Sequence, residues 1–128
     1  YFCGEGGKAD IVKDKNLQPV DEGTPAFRRI HLSNVTARDA GACAGFFYGL
    51  PEIPIEDISF DNVSIHMDTD GKPDVPAMMD NLESMKRKGI YLNNVKNASF
   101  NNVQITNHEG EAFTIENCEG IKVLNCSE

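Results

Sequence analysis

Carboxylates are the commonest side chains in this sequence that could do chemistry, with 20 Asp and Glu against 12 Lys and Arg. Two carboxyl groups held at a fixed separation can act as a general acid and a general base. The histidines His31, His66 and His108 stand apart from one another. No pair of carboxylates is combined with a histidine and a cationic cluster in one pattern, so the residues by themselves predict no catalytic group.

Metal-binding patterns are equally weak. The segment Asp68–Asp74, DTDGKPD, resembles the start of a calcium loop but lacks the third alternating carboxylate and the distant Glu. We interpret it as an exposed acidic turn. The four cysteines lack zinc-finger spacing, and Cys118 and Cys126 occupy positions where related segments carry Val. A reduced cysteine in such a position behaves as a small hydrophobic residue. We therefore expect no metal and no cofactor.

Length and charge limit the function classes. The chain has 128 residues and a formal net charge of -8, which predicts one domain or part of one. Nucleic-acid binders usually carry clustered basic residues, so we expect no nucleic-acid partner. The acidic surface and the absence of a long apolar run also predict no membrane partner.

A short phrase recurs along the chain. It appears as RRIHLSNVTA, EDISFDNVSI, NASFNNVQIT and GIKVLNCSE. In longer frames, 89–103 and 112–126 align at an offset of 23 residues, so that Ile90 meets Phe113 and Phe100 meets Val123. Earlier copies, 27–37 and 55–65, are offset by 28 residues. Internal repeats of this length indicate a solenoid.

Apolar residues alternate within each phrase and are rich in Val, Ile and Phe, which predicts short strands. Three short strands per repeat predict a right-handed parallel β-helix of about four to five coils spanning 1–128. Asn tolerates the left-handed backbone conformation of a bend. Stacked coils would place these amides in an inward-pointing, hydrogen-bonded ladder, with the following Val or Cys starting the next inward-facing strand. The ladder residues are Asn34, Asn62, Asn102 and Asn125.

One insertion interrupts the repeat between Asp68 and Lys88. Pro76 followed by AMMDNLESMKRK predicts a short helix, with Pro in its first turn and basic residues at its end. Met79, Leu82 and Met85 would face the coils. Insertions in solenoids collect on one side, which is often the binding side.

The stretch Pro25–Ile65, PAFRRIHLSNVTARDAGACAGFFYGLPEIPIEDISFDNVSI, resembles the bacterial branch of the polygalacturonases, glycoside hydrolase family twenty-eight. PAMMDNLESMKRKGIYLNNVKN is similar to an insertion and coil of the same proteins. The resemblance covers nearly the whole chain and implies the C-terminal part of a β-helix. It also implies a role in inverting hydrolysis of galacturonan, the acidic polymer of pectin.

The catalytic motifs of that family are Asn-x-Asp, Asp-Asp, Gly-His-Gly and Arg-x-Lys, and none occurs here. The resemblance therefore carries over no catalytic residue. It implies one substrate-binding candidate, Tyr1, which falls near a substrate-contacting tyrosine of the family. Because galacturonan is a polyanion, its cleft needs local cations, for which the candidates are Lys8, Lys13, Lys15, Arg38 and the run from Lys86 to Lys88.

Three functions stay open from the sequence. The chain is a C-terminal piece of a pectin hydrolase, incomplete by itself and partnered by oligo- or polygalacturonate; or a non-catalytic carbohydrate-binding β-helix; or a structural assembly module. Both termini lie in or beside strand-like segments, so we expect open coil ends and association into a homo-oligomer through them. The compartment, secreted or cytoplasmic, stays undetermined.

Overall fold

The computed structural model describes Asp10 and residues 13–127. Within them, the strands are β1 (Arg28–Ala40), β2 (Cys43–Tyr48), β3 (Ile55–Met67), β4 (Lys88–Asn93), β5 (Val95–Thr106), β6 (Phe113–Glu116) and β7 (Glu119–Leu124). One sheet has the order β1-β3-β5-β7 and the other the order β2-β4-β6. All the strand pairs are parallel. This all-β arrangement is consistent with the predicted parallel β-helix.

The predicted offsets are the observed strand registers. Ile90 pairs with Phe113, and Phe100 pairs with Val123, as the 23-residue alignment requires. Arg28 pairs with Glu56, which is the predicted offset between the two earlier copies. The apolar slots therefore fix the register, because a slip of one residue would turn every inward side chain to solvent.

A left-handed residue divides each long strand of the first sheet. Asn62 in β3 has φ 56°-class geometry, at φ 55°, and Asn102 in β5 has φ 52°. Inward-facing residues precede the bend at even positions, such as Phe60, and follow it at odd positions, such as Val63. The bend thus shifts the alternation by one residue and keeps apolar side chains inside on both sides of the corner, which explains the recurring Asn-Val pair.

Stacked phenylalanines form the centre of the core. The ring centroids of Phe60 and Phe100 lie 5.3 Å apart, and those of Phe100 and Phe113 also lie 5.3 Å apart. Phe47 meets Phe60 edge-on at 5.7 Å. Tilted and edge-on contacts at these distances are favourable for aromatic pairs. Residues one coil apart in sequence therefore hold successive coils together from inside.

The predicted apolar role of the cysteines is confirmed for the described ones. Cys43, Cys118 and Cys126 are free thiols and partly buried, and Cys118 and Cys126 pack against the core. Val35, Val63 and Val103 also belong to this core, as the inward-facing prediction required. Cys3 lies outside the described residues.

The predicted helix in the insertion is wrong. Asp74 and Met85 form an isolated antiparallel bridge, with Asp74 N donating to Met85 O at 3.0 Å and Met85 N donating to Asp74 O at 2.8 Å. Asn81 has φ 58°. A chain that doubles back in this way cannot continue the hydrogen bonds of a helix, so tertiary contacts override the local helix signal.

The expected orientation of the insertion is nevertheless found. Met79 is only 6% exposed and packs against Leu50. Leu82 is partly buried in the same small cluster, beside Phe46 and Tyr48 of β2. The insertion therefore lies against the outer side of the second sheet and forms a wall there.

Candidate functional site

The predicted ladder residues lie in one column at a corner of the fold. Asn62 Nδ2 donates to Asn34 Oδ1 at 2.7 Å, and Asn102 Nδ2 donates to Asn62 Oδ1 at 3.1 Å. All of them, with Asn125, have φ between 51° and 56°, which confirms the expected left-handed bend. The bonded column ties successive coils together along the outside.

Two details of the ladder prediction are wrong. Asn34, Asn62, Asn102 and Asn125 are exposed rather than inward-pointing, because the following Val or Cys takes the inward slot. Asn125 Nδ2 donates to Asn101 Oδ1 at 3.2 Å, so the last rung moves by one residue from Asn102. Tyr1, the predicted substrate contact, lies outside the described residues.

A groove of about 540 Å³ lies over the outer face of β2, β4 and β6. Its floor includes Phe46, Tyr91 and Thr114, which are register partners on the three strands. The insertion supplies one wall through residues 82–85, and the loop before β6 supplies the other through residues 109–111. The groove therefore joins segments that are far apart in the sequence.

Gly89 brings the loop wall against β4. A Cβ at this position would overlap the backbone oxygens of Ala112 and Glu111. The close approach lets Ile90 N donate to Ala112 O at 2.8 Å. Only a residue without a side chain fits this contact, so Gly89 sets the position of Glu111 at the groove.

Aromatic rings form a platform on the floor of the groove. The rings of Phe46 and Tyr91 are stacked, with centroids 5.2 Å apart and planes 19° apart. Tyr48 lies 6.2 Å from each of them, centroid to centroid. Ligand sites typically combine such apolar surfaces with a few fixed polar groups. The platform therefore offers a flat surface on which a ring-shaped ligand can stack.

A chain of hydrogen bonds fixes the edge of the platform. Asn117 Nδ2 donates to Asn93 Oδ1 at 3.2 Å, and Asn93 Nδ2 donates to the Tyr91 hydroxyl at 2.9 Å. The Tyr91 hydroxyl donates to Glu116 Oε2 at 2.7 Å. Burial and the bond to Glu116 raise the pKa of Tyr91 to about 12. The phenol therefore stays protonated at neutral pH and keeps Glu116 oriented.

Charged groups at the rim are mostly acidic. Glu83, Glu109 and Glu111 line the groove together with Lys88. Arg87 forms an ion pair with Glu109, and its hydrogen bond holds the pKa of that carboxyl below the usual range. Glu109 is therefore ionised at neutral pH and is a poor proton donor.

The predicted cations are only partly at the groove. Lys88 lines it, and Lys15 Nζ lies 5.7 Å from the Tyr48 ring centroid. Lys13 instead pairs with Asp80 at 3.3 Å. Arg38 is exposed on β1 of the other sheet, and Lys8 lies outside the described residues.

The histidines bind polar partners on the first sheet or lie apart from the platform. His31 Nδ1 lies 2.7 Å from Ser59 Oγ, and His66 Nδ1 lies 2.7 Å from Thr106 Oγ1. The Nδ1 atom of His108 is buried without a hydrogen-bond partner. Across the described residues, no group of three or more His, Cys, Asp or Glu is placed to hold a metal ion, and no helix has the length and apolar character to span a membrane.

Sequence reasoning missed the aromatic platform. The available signal was the alternation in GFFYGL, which puts Phe46 and Tyr48 on the same face of a strand. Aligning this strand with GIYLN would have put Phe46 beside Tyr91. Comparisons with protein-family models, curated proteins and solved structures find no match to this chain.

Proposed function

We propose that this chain is the C-terminal segment of a polygalacturonase-like glycoside hydrolase that acts on pectin. Its fold in this proposal is a right-handed parallel β-helix of about four coils, each built from a strand of either sheet. The segment contributes a sugar-binding groove, while the acid and base that cleave the glycosidic bond come from coils upstream of these residues.

The observation that carries the proposal is the platform of Phe46, Tyr48 and Tyr91 at the floor of a walled groove. The ring face of a pyranose presents C–H groups with a small positive charge, and the face of an aromatic ring is negative. Stacking of the two is therefore favourable. The groove runs across three parallel strands, so its length follows the stacking direction of the coils, as a polymer-binding cleft requires.

The chemistry of inversion explains why binding is assigned here and cleavage is not. Inverting glycosidases place two carboxyl groups about 6.5–9.5 Å apart, one protonated and one ionised. Glu109 is kept ionised by Arg87, and Glu116 accepts the proton of Tyr91. Neither is arranged to protonate a leaving group. The resemblance in Pro25–Ile65 agrees, since it carries over no catalytic motif.

The proposal predicts binding of pectin without hydrolysis by the 128-residue chain. Affinity electrophoresis through gels containing pectin should retard the native chain, and Tyr91→Ala should remove most of the retardation. Phe27→Ala is the matched control, because Phe27 is an exposed aromatic outside the groove lining. Reducing-sugar assays should give no release above the buffer control. Equal retardation of Tyr91→Ala and Phe27→Ala would contradict the assignment of the groove.

A non-catalytic carbohydrate-binding β-helix is the second candidate, and the same groove favours it. The two candidates differ only in the coils that precede this segment in the gene product. Turnover of polygalacturonate by the complete gene product supports the hydrolase, whereas pectin binding without turnover by that product supports the binding module.

A further inference from the structure

The polar groups around the groove are mostly hydrogen-bond acceptors. Glu83, Glu109 and Glu111 line it, and Glu116 lies at the edge of the platform, bonded to Tyr91. An ionised carboxylate accepts hydrogen bonds and donates none. A ligand that matches these groups must therefore supply donors, which sugar hydroxyls do and a uronate carboxylate does not.

The cations beside the groove already face other groups. Arg87 Nε donates to Glu109 Oε1 at 3.1 Å. The pKa of Glu109 is lowered mainly by this arginine, with smaller effects of Lys86 and Lys88. Lys15 lies over the ring of Tyr48. An entering carboxylate would compete with Glu109 for these charges and would meet Glu83 and Glu111 as like charges.

From this inventory we infer that the groove prefers uncharged, methyl-esterified galacturonate units over the free acid. The inference rests on the proposed sugar-binding function and adds the charge class of the ligand. Esterification keeps the pyranose face that stacks on Phe46 and Tyr91, and it keeps the ring hydroxyls that donate to Glu111 and Glu116. It removes only the charge that the rim repels.

The test compares two ligands that differ only in this charge. The native 128-residue chain is titrated calorimetrically with a trimer of galacturonate, once as the free acid and once fully methyl-esterified, at equal low ionic strength. We expect the ester to bind about fivefold more tightly, as expected for one unit-charge repulsion near the surface. The difference should shrink in high salt.

The outcomes separate the two proposals. Tighter binding of the free acid, or equal affinities at low salt, overturns the charge preference and leaves sugar binding by the groove in place. Binding of neither trimer overturns both. Tighter binding of the ester that disappears in Tyr91→Ala supports both.

Charge-neutralising variants locate the effect. The double variant Glu83→Gln, Glu111→Gln should bring the affinities for acid and ester to within about twofold of each other. Glu119→Gln, which removes an exposed carboxylate of β7 outside the groove lining, should keep the native ratio. Far-ultraviolet circular dichroism checks that each variant is folded. An unchanged ratio in the folded double variant would show that the discrimination does not come from these carboxylates, and would overturn the inference.

Discussion

The Tyr91 hydroxyl on β4 donates its proton to Glu116 Oε2 on β6 across 2.7 Å. Burial favours the neutral phenol, the bond to Glu116 favours it further, and the bond from Asn93 opposes them more weakly. Together they raise the pKa of Tyr91 from 10.0 to about 12. This contact links two strands of the groove floor through one protonated oxygen.

Tyr91 should make stability fall at alkaline pH. In the unfolded chain its phenol ionises near the ordinary value of 10.0, while in the folded chain it stays protonated until about 12. The stabilisation is therefore complete below the lower value and is lost as the pH rises to the higher one. Denaturant melts of the native chain and of Tyr91→Phe should show a steeper alkaline loss for the native chain. Parallel curves would contradict the shifted pKa.

Asn102 should be more sensitive to alanine than to glycine. Its φ of 52° lies in the left-handed region, where a side chain such as alanine costs roughly 1–2 kcal/mol. Glycine has no such cost, and both variants lose the amide bond to Asn62. Urea denaturation should therefore rank Asn102→Ala below Asn102→Gly in free energy of unfolding. The opposite order would mean that the amide column, and not the bend, sets the requirement for Asn.

Replacing Gly89 should displace the loop wall of the groove. Gly89→Ala places a methyl group against the backbone of Glu111 and Ala112, and overpacking of this kind costs about 1–3 kcal/mol. Gly41→Ala is the control, since its added methyl group meets only an ordinary contact with Lys72. Thermal melts should separate the two variants. Equal melting temperatures would show that the loop moves away at no cost.

Self-association should depend on apolar residues of the last two strands. Ile115 is 45% exposed and Val123 is 40% exposed, although their register partners Leu92 and Phe100 are fully buried. We expect the native chain to form homo-oligomers that resist moderate salt, because apolar contact and strand pairing hold them. Light scattering at low micromolar concentration measures this, and Ile115→Thr with Val123→Thr should shift the mass towards the monomer. A monomeric native chain would contradict the expectation.

The sequence by itself determined the strands and their register. Alternating apolar slots define which side of each strand faces inward, and Asn at fixed intervals marks the bends because few other residues tolerate a positive φ. Both signals are local, so the pairs Ile90–Phe113 and Phe100–Val123 could be predicted from aligned repeats.

Only the tertiary structure decided the insertion and the groove. The segment after Pro76 has helical residue types, but its bridge from Asp74 to Met85 and the burial of Met79 select a folded-back conformation. The platform requires Phe46 and Tyr91 to stack across coils, and the outward Asn column displaces the last rung to Asn101. These features depend on which distant segments meet, and contacts between distant segments override the weak preferences of single residues.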